Sequence, residues 1–371
     1  ASAGRFFHWT GTHWQSDEGQ GLRYALRLSQ IIGHEIDAEK KTLERLELGF
    51  TLDHGADKLG EIERSKRTDP RRCEPDYVEV LEQRAFIDAL IKWSKHSEMA
   101  HAVNAALTLL RKTLAIEHDQ LDRDPWMLNC RNGTIDLRTG ALRPHERSDY
   151  ITRCIDISFD PASQAPRWKQ FMLDIMDDDA AKVGFLQRWA GYAATGSVRE
   201  QRMVVRVGAG SNGKTTEGNA IDDALGAYAC VAAPGLLVGA GDRHPTEVAD
   251  LRGRRLVAAS ESDDGAVLRE GFVKAATGGE RLKGRFMRGD FFEFAPTHKL
   301  QLLSNHKPQI RGSDFGIWRR LLLVNYAVRF GTPEQVAAGQ ADRIRDESLA
   351  EALRAERAGI LGWIVAGAAQ W

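Results

Sequence analysis

One short segment of this 371-residue chain limits its possible folds more than any other. Gly208-Ala209-Gly210-Ser211-Asn212-Gly213-Lys214-Thr215 fits G-x-x-x-x-G-K-[ST] at every position. An apolar run, Met203-Val204-Val205-Arg206-Val207, comes before it, and a helical pattern with Ile221 and Leu225 turned inward comes after it. Strand, glycine turn and helix in that order are the context in which the motif cradles phosphates. Gly208, Gly210 and Gly213 let the backbone turn so that the N–H groups from Ser211 and Asn212 onward converge on phosphate oxygens. Lys214 then reaches the β- and γ-phosphates of ATP as a point charge, the Thr215 hydroxyl ligates Mg2+, and Thr216 follows as a further contact.

The pattern around this segment is α/β. Arg255-Leu256-Val257-Ala258-Ala259, Leu300-Gln301-Leu302-Leu303 and Leu321 to Val324 read as further strands. A phosphate loop needs a carboxylate at the end of a neighbouring strand. Glu261 supplies one for the metal or the attacking water, and Asp263 is a second metal candidate. Asn305 follows the next strand and is placed to sense the γ-phosphate. Arg320 opens the last apolar run, with Arg319 as its close competitor, and either suits the arginine that meets developing charge in phosphoryl transfer.

The chain carries 51 basic and 52 acidic residues, so it has no whole-molecule basic field. Its charge is uneven, however: from Arg281 to Arg320 nine bases stand against three acids. A neutral chain with one concentrated basic stretch points to a local anionic partner. Four cysteines without C-x-x-C spacing argue for reduced thiols rather than zinc or a disulfide framework. The longest apolar run, Ile360 to Ala369, is about half a membrane span, and the N-terminus lacks a signal pattern, so no membrane partner and a cytoplasmic location are expected. The histidines of the N-terminal half show no metal spacing, and its tryptophans read as packing residues.

Taken together, the motifs resemble those of the phage and plasmid primase-helicase family, whose motor is a superfamily 3 helicase of the AAA+ class. Besides the glycine motif and Glu261, the resemblance rests on Lys274-Ala275-Ala276-Thr277-Gly278-Gly279-Glu280, and on Ser304-Asn305-His306-Lys307-Pro308 followed by Asp314 and Arg319-Arg320. Upstream, Asp124-Pro125-Trp126-Met127-Leu128-Asn129, Asn132 to Gly140 and Gln187-Arg188-Trp189-Ala190-Gly191-Tyr192 are similar to the domain preceding the motor, which is also found in poxvirus-type helicases. The resemblance implies an AAA+ P-loop core over 196–330. A mostly helical collar-like domain with a small β-hairpin region would precede it (1–195), and a C-terminal helical segment would follow (331–371). The primase module and the winged helix often seen in the family have no counterpart among these residues.

The same resemblance gives the basic stretch a role. In such rings a hairpin before the sensor strand projects into the central channel. Residues 281–290 are its counterpart, with Lys283, Arg285 and Arg288 on phosphates and Phe286 stacking or wedging. Phe291, Phe292 and Phe294 are assigned to the core. The expectation is an ATP-dependent, hexameric helicase motor of a phage or plasmid replication protein. It would act on single-stranded and forked DNA in a bacterial host, with a primase or origin-binding module as possible company. The alternative is an AAA+ initiator or loader that binds DNA without processive unwinding.

Overall fold

Apolar runs without a polar face need cover on both sides, which in this chain selects a parallel sheet between helical layers. A computed structural model describes residues 6–239, 244–261, 264–287 and 289–371. The described chain falls into two compact units, one of residues 6–8 and 16–116, the other of residues 9–15 and 117–371. Two short strands near the start, β1 (Phe7–Trp9) and β2 (Trp14–Ser16), pair with each other.

The smaller unit is helical: α1 (Glu18–His54), α2 (Lys58–Arg64), α3 (Pro75–Ser97) and α4 (Ala100–Thr113). Asp17 caps α1 by accepting the Gly19 N–H at 2.8 Å, and Pro75 opens α3, where its missing N–H costs nothing. Helical spacing brings Ile32 and Ile36 of α1 against Ile87 and Leu90 of α3. A second small cluster joins Phe50, Ile62 and Tyr77. Much of the remaining apolar surface of α1, Ile31 and Leu52 among it, is exposed.

The larger unit begins with an antiparallel meander, β3 (Met127–Cys130), β4 (Gly133–Asp136) and β5 (Ala141–Arg143), its first turn at Arg131-Asn132. Helices α5 (Pro166–Ile175) and α6 (Ala180–Ala194) follow. Then come β6 (Met203–Val207), α7 (Lys214–Leu225), β7 (Ala229–Val231), α8 (Pro245–Ala249), β8 (Leu256–Glu261) and α9 (Glu270–Gly278). A hairpin of β9 (Leu282–Arg285) and β10 (Phe291–Phe294) precedes β11 (Lys299–Ser304), α10 (Phe315–Trp318) and β12 (Leu321–Asn325). The chain ends through β13 (Phe330–Gly331), α11 (Pro333–Ala337), β14 (Arg343–Ile344), α12 (Leu349–Ala355) and α13 (Arg357–Gln370).

Five parallel strands make the central sheet in the order β12-β6-β11-β8-β7. All five residues of β6 are buried, Arg206 among them through its pairing with Glu217. On one face the sheet shares a core with the meander, α5, α6 and α13, through Trp168, Leu186, Val204, Ile221 and Ile364. On the other face Val205, Val257, Phe272, Leu300 and Leu302 pack together. Helices α6 and α13 cross where Gly191 faces Gly367 and Ala368; a Cβ on either glycine would run into the opposite backbone. No helix among the described residues is long and apolar enough to cross a membrane.

The amino-terminal edge of the sheet holds several buried cations. Lys299 donates to the carbonyls of Thr195, Ser197 (3.2 Å) and Thr297 (3.1 Å). Arg255 donates to Ala194 O at 2.7 Å and stacks over the Tyr228 ring. Both therefore satisfy carbonyls at the C-terminal end of α6, where positive charge also complements the helix dipole. Burial pushes the Lys299 ammonium far below its ordinary range, and holds the neighbouring His298 imidazole neutral, down to about 3.

Candidate functional site

The glycine loop leaves the carboxyl end of β6 and turns into α7 at Lys214. Its backbone passes through the left-handed region at Gly210, Ser211 and Gly213, with φ of 96°, 53° and 83°. Ser211 is there without the freedom of glycine, a conformation that needs outside support. Gly213 and Gly208 also leave no room for a side chain. A Cβ on Gly213 would sit 2.5 Å from Ile175, and one on Gly208 would sit 2.5 Å from the Tyr326 carbonyl oxygen.

Lys214 curls back over this loop. Its ammonium donates to Gly208 O at 2.6 Å and Asn212 Oδ1 at 2.9 Å, and the side chain is buried. Burial lowers its pKa, because few compensating charges surround it. Thr215 is exposed and Thr216 half-buried at the first turn of α7.

Support for the loop comes from the segment after β12. Tyr326 N–H donates to Val207 O at 2.8 Å, and its carbonyl accepts from Asn212 Nδ2 at 3.4 Å. Its hydroxyl donates to Glu217 on α7. Four residues on, Phe330 N–H donates to Ser211 O at 2.7 Å. Glu217 is itself buried against Arg206 of β6, 3.2 Å away. Burial raises the Glu217 pKa, while the Arg206 guanidinium and the Tyr326 hydroxyl oppose the rise. Tyr326, Phe330 and Glu217 are outside the motif, and sequence reasoning passed over them. The motif is local, whereas the strap comes from more than a hundred residues further along the chain.

Strand register collects the other candidates. Ser304 lies opposite both Val207 and Glu261, and Asn325 lies opposite Val207. Strands β6, β8, β11 and β12 thus end level with one another. The glycine loop, Glu261 as the last residue of β8, and the exposed Asn305 just after β11 all share the carboxyl edge. Ligands of open parallel sheets bind outside this edge. Asp264, beyond β8, lies 3.6 Å from His306, so the loops after β8 and β11 meet. Asp263 and Arg288 lie outside the described residues. No group of three or more metal-ligating side chains occurs among the described residues.

Arg319 and Arg320 stand at the other edge, just before β12, where Leu321 pairs with Met203. Arg320 was the better-placed arginine from sequence. Its side chain is enclosed, with Nε donating to Thr277 Oγ1 at 3.0 Å and Nη1 to the Gly316 carbonyl. Arg319 is the more accessible of the two, half-buried with a hydrogen bond to Gln201. Lys274 of the intermediate motif pairs with Asp314, which in turn caps α10.

The basic hairpin departs from expectation in its aromatics. Antiparallel register sets Phe291 opposite Arg285 and Glu293 opposite Lys283. One face therefore presents Lys283, Arg285, Phe291 and Glu293, and the other carries Leu282, Gly284, Phe292 and Phe294. Phe291, assigned to the core from sequence, is 51% exposed. Lys283 Nζ and Arg285 Cζ lie 5.1 Å and 4.9 Å from its ring centroid. Phe286, the expected stacking residue, is half-buried and stacks on Phe292 at 5.0 Å. The signal for Phe291 was present in Phe291-Phe292-Glu293-Phe294. A two-residue period puts the first phenylalanine on the charged face with the glutamate.

With this geometry established, known proteins supply the context. A family model described as D5 N terminal like matches residues 1–177. A protein of Acanthamoeba polyphaga mimivirus named as a putative helicase is 26% identical over 216 residues, covering 57% of this chain and 22% of its own length. A protein of the same designation from Invertebrate iridescent virus 6 is 26% identical over 227 residues, 57% of this chain and 23% of that protein. The family match and these relatives support a likeness to D5-type primase-helicases. Its matches span less than a quarter of these viral relatives. Among solved structures, the A-form apo structure of the NrS-1 C-terminal region matches with a TM-score of 0.43 and 14% identity, over 58% of this chain and 50% of that one.

Proposed function

We propose that this chain is the ATP-dependent helicase motor of a replication protein, built on an AAA+ P-loop core of the superfamily 3 kind. In this reading residues up to 195 form the preceding helicase-associated region and 331–371 the closing helices. The observation that carries it is the shared carboxyl edge, where a strapped glycine loop with its lysine, the end of β8 and the sensor asparagine lie level. The family's helicase-named relatives support the same reading.

Lys214 already lies on loop oxygens, Gly208 O and Asn212 Oδ1, that a triphosphate would replace. The donor set also suits Mg2+, a hard cation that usually takes one or two carboxylates plus phosphate oxygens. Thr215, Glu261 and Asp263 would hold it, and when bound it neutralises charge on the phosphates. Asn305 would orient the attacking water. The site's own arginines lie at the opposite end of the strands, about 15 Å away for five residues of β-strand. An arginine, Arg319 or Arg320, would therefore come from a neighbouring copy, which supports a ring, taken here as a hexamer. Lys283, Arg285 and Arg288 of the hairpin would hold the DNA backbone in the channel. A primase or origin-binding module would work alongside the motor.

Strand displacement on a forked duplex tests the proposal. Unwinding that requires ATP and disappears in Lys214→Ala is the expected result. ATP-dependent DNA binding without strand separation would replace it with the initiator or loader reading.

A further inference from the structure

We infer that a cavity of about 500 Å3 beside the glycine loop holds the nucleoside half of the triphosphate, with Phe330 and Ile344 forming its apolar wall. The inference rests on the proposed P-loop reading and adds to it the part of the ligand that the motif does not address. Ser211, Gly213 and Thr216 line both the cavity and the phosphate loop. A ligand with its phosphates on the loop amides has this hollow directly alongside. The volume is within the range of small-ligand pockets.

The walls are chemically divided. Phe171, Phe330, Ile344 and Leu349 supply apolar surface for a base. Phe171 is buried and packs under Gly213, so wall and loop move together. Phe330 is tied to the loop through its own N–H on Ser211 O, at 2.7 Å. The remaining lining includes Asp346 and Glu347. Arg167 pairs with Asp346 and Arg345 with Glu347, so the arginines here are partly neutralised. Carboxylates repel a polyphosphate or a nucleic-acid backbone, whereas they accept hydrogen bonds from ribose hydroxyls or a base amino group. The cavity therefore suits the uncharged end of a nucleotide rather than a second phosphate or a DNA strand.

Calorimetric titration of the full chain with MgATP and with magnesium tripolyphosphate tests this. Tripolyphosphate carries the phosphates without the nucleoside. ATP is expected to bind roughly tenfold or more tightly, as base–aromatic stacking predicts. Phe330→Ala should bring ATP down towards tripolyphosphate and leave tripolyphosphate unchanged. Ile344 is 59% exposed, so Ile344→Ser leaves the core intact and should weaken ATP alone, severalfold. Equal affinity of the two ligands for the unmodified protein overturns the inference while the phosphate loop stands. Equal weakening of both ligands in Ile344→Ser also overturns it. If neither ligand binds, the P-loop reading falls and the inference falls with it.

Discussion

The two edges of the central sheet both bury lysines, yet they use them in opposite ways. At the carboxyl edge Lys214 donates to a loop carbonyl and a side-chain amide of its own short segment. At the amino edge Lys299 donates to three carbonyls, two of them just past the end of α6, and the one on Thr195 is fully buried. Both lysines are shifted downward by burial. Burial and a displaced pKa therefore do not separate a ligand-binding cation from a structural one. What separates them is whether the partners can be exchanged. In the proposed reading a phosphate oxygen would take the place of Gly208 O and Asn212 Oδ1, whereas Thr195 is fully buried.

Substituting the two lysines in turn breaks the comparison if it is wrong. Lys214→Ala should reduce ATP hydrolysis at least a hundredfold, the scale of removing a preorganised electrostatic contact. Its unfolding free energy should stay within about 1 kcal/mol of the unmodified protein, since the loop oxygens it leaves behind can be hydrated. Lys299→Met should do the reverse. It strands buried carbonyls and should cost about 3 kcal/mol in urea unfolding, with nucleotide affinity of the folded protein unchanged. A large stability loss in the first, or lost nucleotide affinity in the second, would erase the distinction.

A third buried group sharpens the same contrast by titration. Asp222 of α7 is half-buried, and its Oδ1 has no partner among the described residues. Burial raises its pKa to about 7 despite the attraction of Arg206. The folded pKa is above the unfolded one, so the proton is bound more tightly in the native state. This contribution to stability is fully present below about pH 4 and is lost as pH rises through about 7. Relative to the unmodified protein, Asp222→Asn should gain about 3 kcal/mol of stability between pH 4.5 and pH 8. Urea midpoints across that range measure the difference, and parallel curves would show that Asp222 ionises freely in the fold.

How much of this could be read from sequence depends on how far each feature reaches along the chain. The glycine loop is legible because its motif is local: Gly208 to Thr215 carry the spacing, and the flanking strand and helix patterns show where it sits. The level ending of β6, β8 and β11 is harder to see, because register depends on pairing between segments about forty to a hundred residues apart. The strap from Tyr326 and Phe330 has no local signature at all, since an N–H on Ser211 O belongs to no side-chain pattern. Arg320 illustrates the opposite problem. A basic residue opening an apolar strand suggests an exposed edge, but Gly316, four residues back, and Thr277, forty-three residues back, enclose it. The same is true of the close α6–α13 crossing, where Gly191 and Gly367 are visible as glycines but not as partners.

The smallest expected effect concerns the hairpin, where two phenylalanines five residues apart have exchanged the places that sequence gave them. Phe291 is the exposed ring, flanked by Lys283 and Arg285, while Phe286 lies against Phe292. A nucleobase stacked on Phe291 would leave its phosphates within reach of both cations, so one face would supply stacking and charge together. Phe291→Ala should therefore weaken single-stranded DNA binding by about 1.5 kcal/mol, roughly tenfold, with little change in the salt slope. Lys283→Glu with Arg285→Glu should weaken binding and flatten the slope. Phe286→Ala should act through packing and lower thermal stability more than affinity. Titrations of fluorescent oligonucleotide over a salt series separate the three. If Phe286→Ala costs more affinity than Phe291→Ala at unchanged stability, the hairpin reads DNA through its tip rather than through its charged face.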